Sequence, residues 1–383
     1  MITRLAVSGY RSLRNAKFAL TPLTLVTGAN GSGKSSLYRA LRLLADVAQG
    51  RIVQSIAAEG GLQSILWAGP ETFSREVKAG AYPVEGLVRR KPIALKLGVS
   101  GPRYGYSIDL GMPSAPAVFA LDPQIKLEAL WLGETLGRSN LLAERRGPGV
   151  RLKNENGLWR QAATALNPFD SMATHCADQR EGFELFQLRE TMRGWRFYDQ
   201  FRTDRDAPAR RLQIGTYTPV LASDGSDLAA ALQTIATIGD GEALDASVAD
   251  AFPGASVVCR ESDGHVEVEM HQHGLLRPLR SPELSDGTLR YLLLLAALLT
   301  PRPPQLMILN EPEASLHPDL IAPLARLVMA ASKRTGLIVV SHSRKLVDAC
   351  LDTPGASEIR LEKQFGETLA PDAQAPKWVW PSR

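Results

Sequence analysis

A glycine-rich loop near the start of the chain has the composition of a phosphate-binding loop. It reads Gly-Ala-Asn-Gly-Ser-Gly-Lys-Ser over residues 28–35 and matches the pattern G-x-x-x-x-G-K-[ST]. In such a loop the glycines let backbone N–H groups curl around the β-phosphate of a nucleotide. Lys34 then reaches the β- and γ-phosphates, and the Ser35 hydroxyl binds Mg²⁺. The residues predicted to contact ATP here are Gly28, Ala29, Asn30, Gly31, Ser32, Gly33, Lys34, Ser35 and Ser36.

A short apolar segment near the other end of the chain is followed by two polar residues that suit catalysis. Residues 306–309 read Leu-Met-Ile-Leu and precede Asn310 and Glu311. This form predicts a buried strand of the Walker B type, which delivers the next two side chains to the phosphates. We predict that Glu311 is the catalytic base that polarises water, and that Asn310 supports Mg²⁺ through water. Because Asn310 stands where aspartate is usual, we expect slow or metal-sensitive hydrolysis.

A polar turn before an apolar helix resembles the signature of ABC-type ATPases. Ser285, Asp286 and Gly287 precede the predicted helix 289–299. In those enzymes the signature offers serine and backbone N–H groups to a nucleotide held by the other subunit. The alternative is that Ser285 is only an N-cap, since serine is common at that position. The distance of 26 residues to Glu311 favours the signature.

Three more elements resemble parts of the same enzymes. Ser315, Leu316 and His317 follow Glu311 as the D-loop does, which lies across the dimer interface. His342 follows the predicted strand 337–340 and resembles the switch histidine that contacts the γ-phosphate, although a capping histidine is the alternative. Arg11 lies where related ATPases carry a phosphate-contacting arginine, and a plain surface arginine is nearly as good an interpretation.

The elements that must position these residues indicate an α/β core made from the two ends of the chain. Apolar runs, alternation and helical periodicity give these assignments. We predict strands at 2–9, 23–27, 93–99, 104–110, 125–132, 158–162, 257–260, 265–271, 306–309 and 336–340, and helices at 35–48, 181–193, 224–237, 242–251, 289–299 and 317–333.

Four segments follow from this order. Residues 1–74 form the N-terminal part of the ATPase core with its phosphate loop. Residues 75–165 form an antiparallel β subdomain, and residues 166–223 a mainly helical insertion. Residues 224–383 complete the core with the signature, Walker B and switch histidine. No heptad pattern persists, so we expect no long coiled-coil arm.

The order of these motifs is that of the ABC ATPase superfamily, which the chain resembles over nearly its whole length. Residues 311–318, Glu-Pro-Glu-Ala-Ser-Leu-His-Pro, are similar to the form in SMC and recombination-protein-F-like predicted AAA ATPases and in overcoming-lysogenization-defect (OLD) proteins. The resemblance implies an ABC-type P-loop NTPase head with an antiparallel β subdomain and an inserted helical lobe. It also implies ATP and Mg²⁺ as cofactors and an ATP-dependent head-to-tail homodimer.

Two departures from these relatives matter for function. OLD proteins carry a metal-dependent nuclease domain after the ATPase, whereas about 40 residues follow His342 here, so we predict no intrinsic nuclease. Transporter ATPases have a Q-loop glutamine, and Gln54 and Gln63 are the available candidates.

The three cysteines form no CxxC pair, which argues against a zinc site or disulfides. With no signal peptide or membrane-length apolar run, we expect a cytoplasmic protein with no membrane partner.

Some features keep two interpretations. Aromatic residues interleave with arginines over residues 189–211, which suits nucleic acid, but a packed lobe with salt bridges is at least as good. His271 and His273 could share a face as metal ligands, yet no third ligand is near them in sequence. The net charge of +4 permits nucleic acid without demanding it.

The combined prediction is an ATP-driven clamp that works in DNA repair, recombination or genome maintenance, with double-stranded DNA as a candidate partner. One alternative is a regulatory or phage-defence ATPase that controls a separate effector protein. Another is an ATP-sensing scaffold with little turnover, which only Asn310 favours.

Overall fold

The structure is a computed structural model that describes residues 1–70, 93–113 and 121–382. The helices in this part of the chain are α1 (Lys34–Ala48), α2 (Ile52–Ala58), α3 (Leu62–Ile65), α4 (Met172–His175), α5 (Phe183–Arg193), α6 (Leu228–Ile238), α7 (Gly241–Ala251), α8 (Asp286–Leu298), α9 (Ile321–Ser332) and α10 (Arg344–Leu351). The strands are β1 (Arg4–Tyr10), β2 (Leu13–Ala19), β3 (Leu23–Gly28), β4 (Leu95–Ser100), β5 (Tyr104–Gly111), β6 (Gln124–Leu132), β7 (Leu141–Arg146), β8 (Gly149–Lys153), β9 (Trp159–Ala163), β10 (Arg196–Tyr198), β11 (Gln213–Ile214), β12 (Ser256–Ser262), β13 (His265–His271), β14 (Leu279–Arg280), β15 (Leu306–Asn310), β16 (Gly336–Val340), β17 (Ala356–Gln364) and β18 (Glu367–Leu369).

The chain divides into two compact units, each assembled from separate segments. The first unit contains Met1, Thr21–Thr27 and Gly194–Ile359, and the second contains Ile2–Leu20, Gly28–Arg193 and Arg360–Arg383. The predicted boundary at residues 74–75 lies outside the described residues. The other two predicted boundaries stay predictions.

A parallel sheet lies at the centre of the first unit, with the strand order β10-β15-β16-β3. Leu306 of β15 pairs with Gly336 of β16, and Asn310 pairs with Val340 at the other end. Both strands are almost completely buried. Strands covered on both faces need apolar residues at every position, which explains their unbroken apolar sequences. The carboxyl ends of these parallel strands meet at one edge of the sheet.

Helix α8 belongs to the core of the first unit. Ten of its thirteen residues are buried, in one run from Leu289 to Leu298. A helix that is apolar on nearly all sides is typical of a protein interior. The helix begins at Asp286, three residues before the predicted start, because Ser285 caps it. Arg290 is the one charged residue in the buried run.

A small antiparallel sheet completes the first unit. Its order is β11-β13-β12, and β14 pairs with β13. The predicted strand pair around Asp263 and Gly264 is confirmed, and both turn residues have positive φ angles of 51° and 75°. Such left-handed angles are typical of tight hairpin turns.

An eight-stranded antiparallel sheet dominates the second unit, in the order β2-β1-β4-β5-β6-β7-β8-β9. Inside it lies an ion pair in which Arg145 and Glu128 are both fully buried, 3.2 Å apart. Glu128 also accepts hydrogen bonds from the Tyr106 hydroxyl at 2.6 Å and the Met172 backbone N–H at 2.8 Å. Because a buried charge needs such partners, this network ties helix α4 to the sheet.

The last residues of the chain fold back into the second unit. Residues 362–364 of β17 pair with β18, and residues 360–369 are called the C-terminal hairpin below. Beyond it, Trp378 packs edge-on against Trp131 of β6, with ring centroids 5.6 Å apart. Neither contact was predicted, because hairpin and tail carry no chemical motif.

Several elements differ from the predicted pattern. The strands absent from the prediction are β2, β7, β8, β10, β11, β14, β17 and β18, and β10 lies in a segment predicted as helical. The helix predicted from residue 317 starts at 321, after a 3₁₀ turn at Pro318–Leu320. Within residues 1–70, 93–113 and 121–382, no helix combines the length and apolar character needed to cross a membrane.

Candidate functional site

The phosphate loop, residues 28–35, joins the end of β3 to the start of α1. All three of its glycines have positive φ angles: 143° at Gly28, 76° at Gly31 and 113° at Gly33. Other residues rarely adopt these angles, so the loop depends on glycine. Gly33 is the N-cap of α1 and contributes no side chain, while Ser35 is exposed in the first turn. The first turn of the helix therefore presents backbone N–H groups, which favour anions.

Lys34 is held inside the phosphate loop. Its Nζ donates to the carbonyl oxygens of Gly28 at 2.7 Å and Ala29 at 3.0 Å, and the residue is only 6% exposed. A buried ammonium needs such acceptors. The lysine is therefore oriented toward the interior of the loop, where the motif predicts a phosphate.

The C-terminal hairpin supports the phosphate loop from within the second unit. The Thr368 hydroxyl lies 2.7 Å from the Ser32 carbonyl oxygen. A Cβ built on Gly33 would overlap the Thr368 side chain, and one built on Gly28 would overlap the Leu361 carbonyl oxygen. Gly28 and Gly33 are thus required for close packing as well as for their φ angles.

Arg11 lies in the second unit with the phosphate loop. Its guanidinium forms an ion pair with Glu59 at 2.6 Å, and the Tyr10 hydroxyl donates to the same carboxylate at 2.8 Å. Burial and the neighbouring Glu59 raise the pKa of Tyr10, so its hydroxyl stays protonated. Arg11 has a φ of 46°. Contact with a phosphate stays a prediction for this residue.

The turn that follows β15, residues 310–313, is called the Walker B turn below. Glu311 has a positive φ of 49°, which costs energy for a residue with a side chain and is common at functional sites. Its backbone N–H donates to Val340 O of β16 at 2.8 Å. One carboxylate oxygen lies 3.2 Å from Nε2 of His342. The structure thus brings together the predicted base and the predicted switch histidine, both partly exposed.

Glu313 fixes the segment that carries His342. Its Oε1 accepts three hydrogen bonds: from Ser341 Oγ at 2.6 Å, His342 N at 2.8 Å and Ser343 N at 3.0 Å. Hydrogen bonds to a carboxylate are stronger than neutral ones. Glu313 therefore holds residues 341–343, called the histidine loop below, against the Walker B turn.

Arg290 of α8 supports the same turn from the core. Its Nη2 donates to Glu311 O at 3.0 Å, and the residue is 4% exposed. Burial lowers the pKa of Arg290, while the charges of Glu313, Glu311 and Asp199 oppose this effect. Helix α8, which begins at the predicted signature, is thereby linked to the backbone of the predicted base.

The predicted signature is an exposed helix start. Ser285 caps α8 by accepting from Thr288 N at 3.2 Å, so the N-cap interpretation holds and is compatible with a signature. Ser285 and Asp286 are exposed. Buried Arg210 donates to Asp286 Oδ1 and to Leu284 O, both at 2.7 Å, and so fixes the conformation of this turn.

The predicted D-loop follows the Walker B turn within the first unit. Ser315 is exposed with a φ of 62°, Leu316 is half-buried, and His317 is exposed and caps the 3₁₀ turn at Asp319. The Ser315 carbonyl oxygen would lie 3.3 Å from a Cβ built on Gly287, so signature and D-loop are neighbours.

The aromatic residues of the arginine-rich stretch are buried, whereas Arg202, Arg205 and Arg211 are exposed. Its aromatic residues Trp195, Phe197, Tyr198 and Phe201 are all less than 10% exposed, so they cannot stack on bases. Arg210 is buried as well and donates hydrogen bonds to the signature turn.

The other candidate residues lie at the surface. Gln54 and Gln63 are exposed on α2 and α3, and His271 and His273 are also exposed. Among the described residues, no three His, Cys, Asp or Glu side chains cluster as a metal site.

Sequence reasoning missed four residues that contact the predicted motifs, each within its own unit. Asp199 follows β10 and accepts a hydrogen bond from the Asn310 amide. The others support known motifs through contacts distant in sequence: Glu313, Arg290 and Thr368. The form Glu-Pro-Glu at 311–313 gave a signal for Glu313, but no local pattern marks the other three.

Comparison with known proteins agrees with this geometry. The sequence family described as "AAA domain, putative AbiEii toxin, Type IV TA system" matches residues 23–348, which include every predicted motif except Arg11. The chain belongs to this AAA family. Its predicted relationship to P-loop ATPases of the AAA and SMC kind is thereby confirmed. No protein of curated function matches the chain.

Three solved SMC heads are similar in structure to this AAA-family chain. The SMC head bound to the C-winged helix domain of ScpA is 14% identical, with 96% of each chain covered and a TM-score of 0.50. The SMC head from Thermotoga maritima is 14% identical, covering 96% of this chain and 97% of that one, with a TM-score of 0.44. The SMC head with an extended coiled coil, bound to the C-terminal domain of ScpA from Pyrococcus furiosus, is 13% identical, with coverages of 96% and 94% and a TM-score of 0.49. The first of these supports the predicted fold, an SMC-head-like P-loop ATPase with a large antiparallel sheet.

Proposed function

We propose that this chain binds and hydrolyses ATP with Mg²⁺, and that ATP closes a head-to-tail homodimer. The observation that carries the proposal is the 3.2 Å contact between Glu311 and His342 at the ends of two adjacent parallel strands. A carboxylate and an imidazole so placed, in a chain with a phosphate loop, suit the activation of water beside a γ-phosphate.

The residues present fit Mg²⁺, which prefers hard oxygen ligands and keeps several waters. Ser35 offers an exposed hydroxyl at the start of α1, and Asn310 offers an amide oxygen at the carboxyl edge of the parallel sheet. We infer that Ser35 binds the ion directly and Asn310 through water. The ion would neutralise charge on the phosphates.

The side chains of the chain would then act in turn. Lys34 exchanges its loop carbonyls for the β- and γ-phosphates. His342 contacts the γ-phosphate and orients Glu311, which accepts a proton from the attacking water. The positive φ of Glu311 and the three hydrogen bonds to Glu313 support this role, because a site held in advance needs little reorganisation during the reaction.

The exposed signature supports a second subunit as partner. Ser285 and Gly287 lie at a helix start that is open to solvent, and Ser315 of the D-loop is next to it. We infer that they close over the γ-phosphate bound by the other subunit. ATP would then favour the dimer and hydrolysis would release it.

Two roles for such a cytoplasmic clamp have support. The net charge of +4 permits the first role, a DNA-associated one in repair or recombination. Control of a separate effector is supported by the family description, which names a toxin system. The neighbouring SMC head bound to ScpA shows that a head of this fold can bind a partner protein.

ATP turnover and oligomeric state, measured together with and without double-stranded DNA, test the proposal. We expect wild type to dimerise with ATP and Mg²⁺, and Glu311→Gln to trap the dimer while turnover falls by about 100-fold or more, since a general base contributes about that much. Lys34→Ala is the control that removes binding. Stimulation by DNA favours the first role, and an unchanged rate favours effector control.

Absence of both dimer and turnover in wild type would contradict the ABC mechanism. A dimer with negligible turnover would instead favour the ATP-sensing scaffold, and Asn310→Asp would then show whether the missing charge is the reason.

A further inference from the structure

Strand β10 places an acidic side chain beside the Walker B turn. Tyr198 pairs with Leu309 in parallel register, so the next residues along each strand, Asp199 and Asn310, lie side by side. The Asn310 amide Nδ2 donates a hydrogen bond of 2.5 Å to Asp199 Oδ1. The carboxylate therefore ends at the same edge of the sheet as the predicted metal-supporting residue.

The charge of this carboxylate reaches the Walker B turn. Asp199 is one of three carboxylates, with Glu311 and Glu313, that act on the buried guanidinium of Arg290. Asn310 itself is neutral. The hydrogen bond uses one oxygen of Asp199 and one amide hydrogen of Asn310, so Asp199 Oδ2 and Asn310 Oδ1 are outside it. Asp199 thus brings one negative charge, and Asp199 Oδ2 and Asn310 Oδ1 are two oxygen atoms that suit a metal ion. In other Walker B motifs a single aspartate would supply both the charge and the oxygens.

We propose that Asp199 is a metal-binding residue which, together with Asn310, replaces the Walker B aspartate and holds the nucleotide-bound Mg²⁺ through its water shell. This inference rests on the proposed ATP-binding function and adds a residue to the same site. Asp199 supplies the charge, and the hydrogen bond to Asn310 fixes the orientation of both side chains. Because Asp199 supplies the charge, the Mg²⁺ site has a carboxylate although Asn310 is neutral.

A structural role for Asp199 would also involve the hydrogen bond to Asn310, so the test must separate charge from shape. Asp199→Asn keeps an oxygen acceptor for the Asn310 amide but removes the charge. The double variant Asp199→Asn with Asn310→Asp exchanges the two side chains and restores one carboxylate. Asp204→Asn is a matched control, because Asp204 is an exposed aspartate of the same segment and pairs with Arg202.

The readout is binding. The affinity for a non-hydrolysable ATP analogue is measured by calorimetry in EDTA and at rising Mg²⁺, and Mn²⁺ binding to the analogue complex is measured by EPR. We expect Asp199→Asn to bind the analogue in EDTA like wild type but to need about 10- to 100-fold more metal, the usual cost of losing a supporting ligand. The exchanged double variant should recover most of this loss, and Asp204→Asn should show none.

The outcomes separate the two proposals. If wild type does not bind the analogue, the ATP-binding function and the role of Asp199 both fail. If wild type binds but Asp199→Asn shows an unchanged metal requirement, the role of Asp199 alone fails. Loss of metal binding that the exchanged variant does not recover would limit Asp199 to structural support of β15, which also overturns the proposal.

Discussion

The phosphate loop and the Walker B turn achieve precision in different ways. The shape of the phosphate loop is set by its own backbone, because three glycines with positive φ and the start of α1 lie within eight residues. The Walker B turn contacts the side chains of Asp199 after β10, Arg290 of α8 and Ser341 after β16, and Asp199 is 111 residues away from its partner Asn310 in the chain. The first kind of site is local in sequence and the second kind is assembled by the fold.

The difference predicts how each region responds to substitution. The phosphate loop should lose nucleotide binding when a Cβ is added to a packed glycine. The Walker B turn should instead lose activity in proportion to the number of hydrogen bonds removed. Three experiments test this contrast, from the largest expected effect to the smallest.

Gly33→Ala should abolish nucleotide binding. The added Cβ meets Thr368 and forces a non-glycine residue to a φ of 113°, which costs about 1–3 kcal/mol in strain alone. Gly31→Ala is the matched control, because a Cβ there has no atom within 4 Å among the described residues. Calorimetry with ATP and urea unfolding measure both variants. Equal losses in the two would show that support by the hairpin is irrelevant, and partial recovery by Thr368→Ala would confirm the clash.

Glu313→Ala should lower turnover while leaving the affinity for ATP nearly unchanged. It removes the acceptor of three hydrogen bonds and leaves Arg290 with less compensation, at an expected cost of about 1–3 kcal/mol of stability. Glu313→Gln keeps the Oε1 acceptor and should retain most of the activity. Steady-state kinetics and urea unfolding compare the two. If the glutamine variant were as inactive as alanine, charge rather than hydrogen bonding would hold the histidine loop.

Asp286→Asn should have the smallest effect. It weakens the ion pair at 2.7 Å between buried Arg210 and exposed Asp286 but keeps an oxygen acceptor for the guanidinium, so we expect a cost of roughly 0.2–1 kcal/mol, as for a solvent-exposed pair. We expect ATP-dependent dimerisation to weaken by about threefold, with unchanged ATP affinity of the monomer. Asp250→Asn makes the same change in an ion pair of equal length with the exposed Arg326 and should leave dimerisation unaffected in analytical ultracentrifugation. If both variants weakened dimerisation to a similar extent, the signature turn would have no special role in it.

The contrast also explains how much could be predicted from the sequence. The phosphate loop, the Walker B strand, the strand before His342 and the apolar helix α8 are local patterns, and the structure contains each of them. The predicted fold class is confirmed for the same reason, since alternating strands and helices define it.

What could not be predicted depends on pairing between distant segments. Strand β10 has only three residues inside a stretch rich in arginine and aromatic residues, and its parallel pairing with β15 is what makes Asp199 a neighbour of Asn310. No periodicity reports such a pairing. Likewise Thr368 has no motif of its own, and only folding of the C-terminal hairpin brings it to the phosphate loop.

The support of the phosphate loop by the C-terminal hairpin has a consequence for biosynthesis. Thr368 lies 336 residues after Ser32, so a nascent chain displays its phosphate-binding motif on the order of half a minute before the ribosome has made the residue that steadies it. A fragment that stops at residue 355 would contain every recognisable nucleotide motif and still lack this brace. Fusions or truncations near the hairpin therefore act on the nucleotide site, although they change none of its motifs.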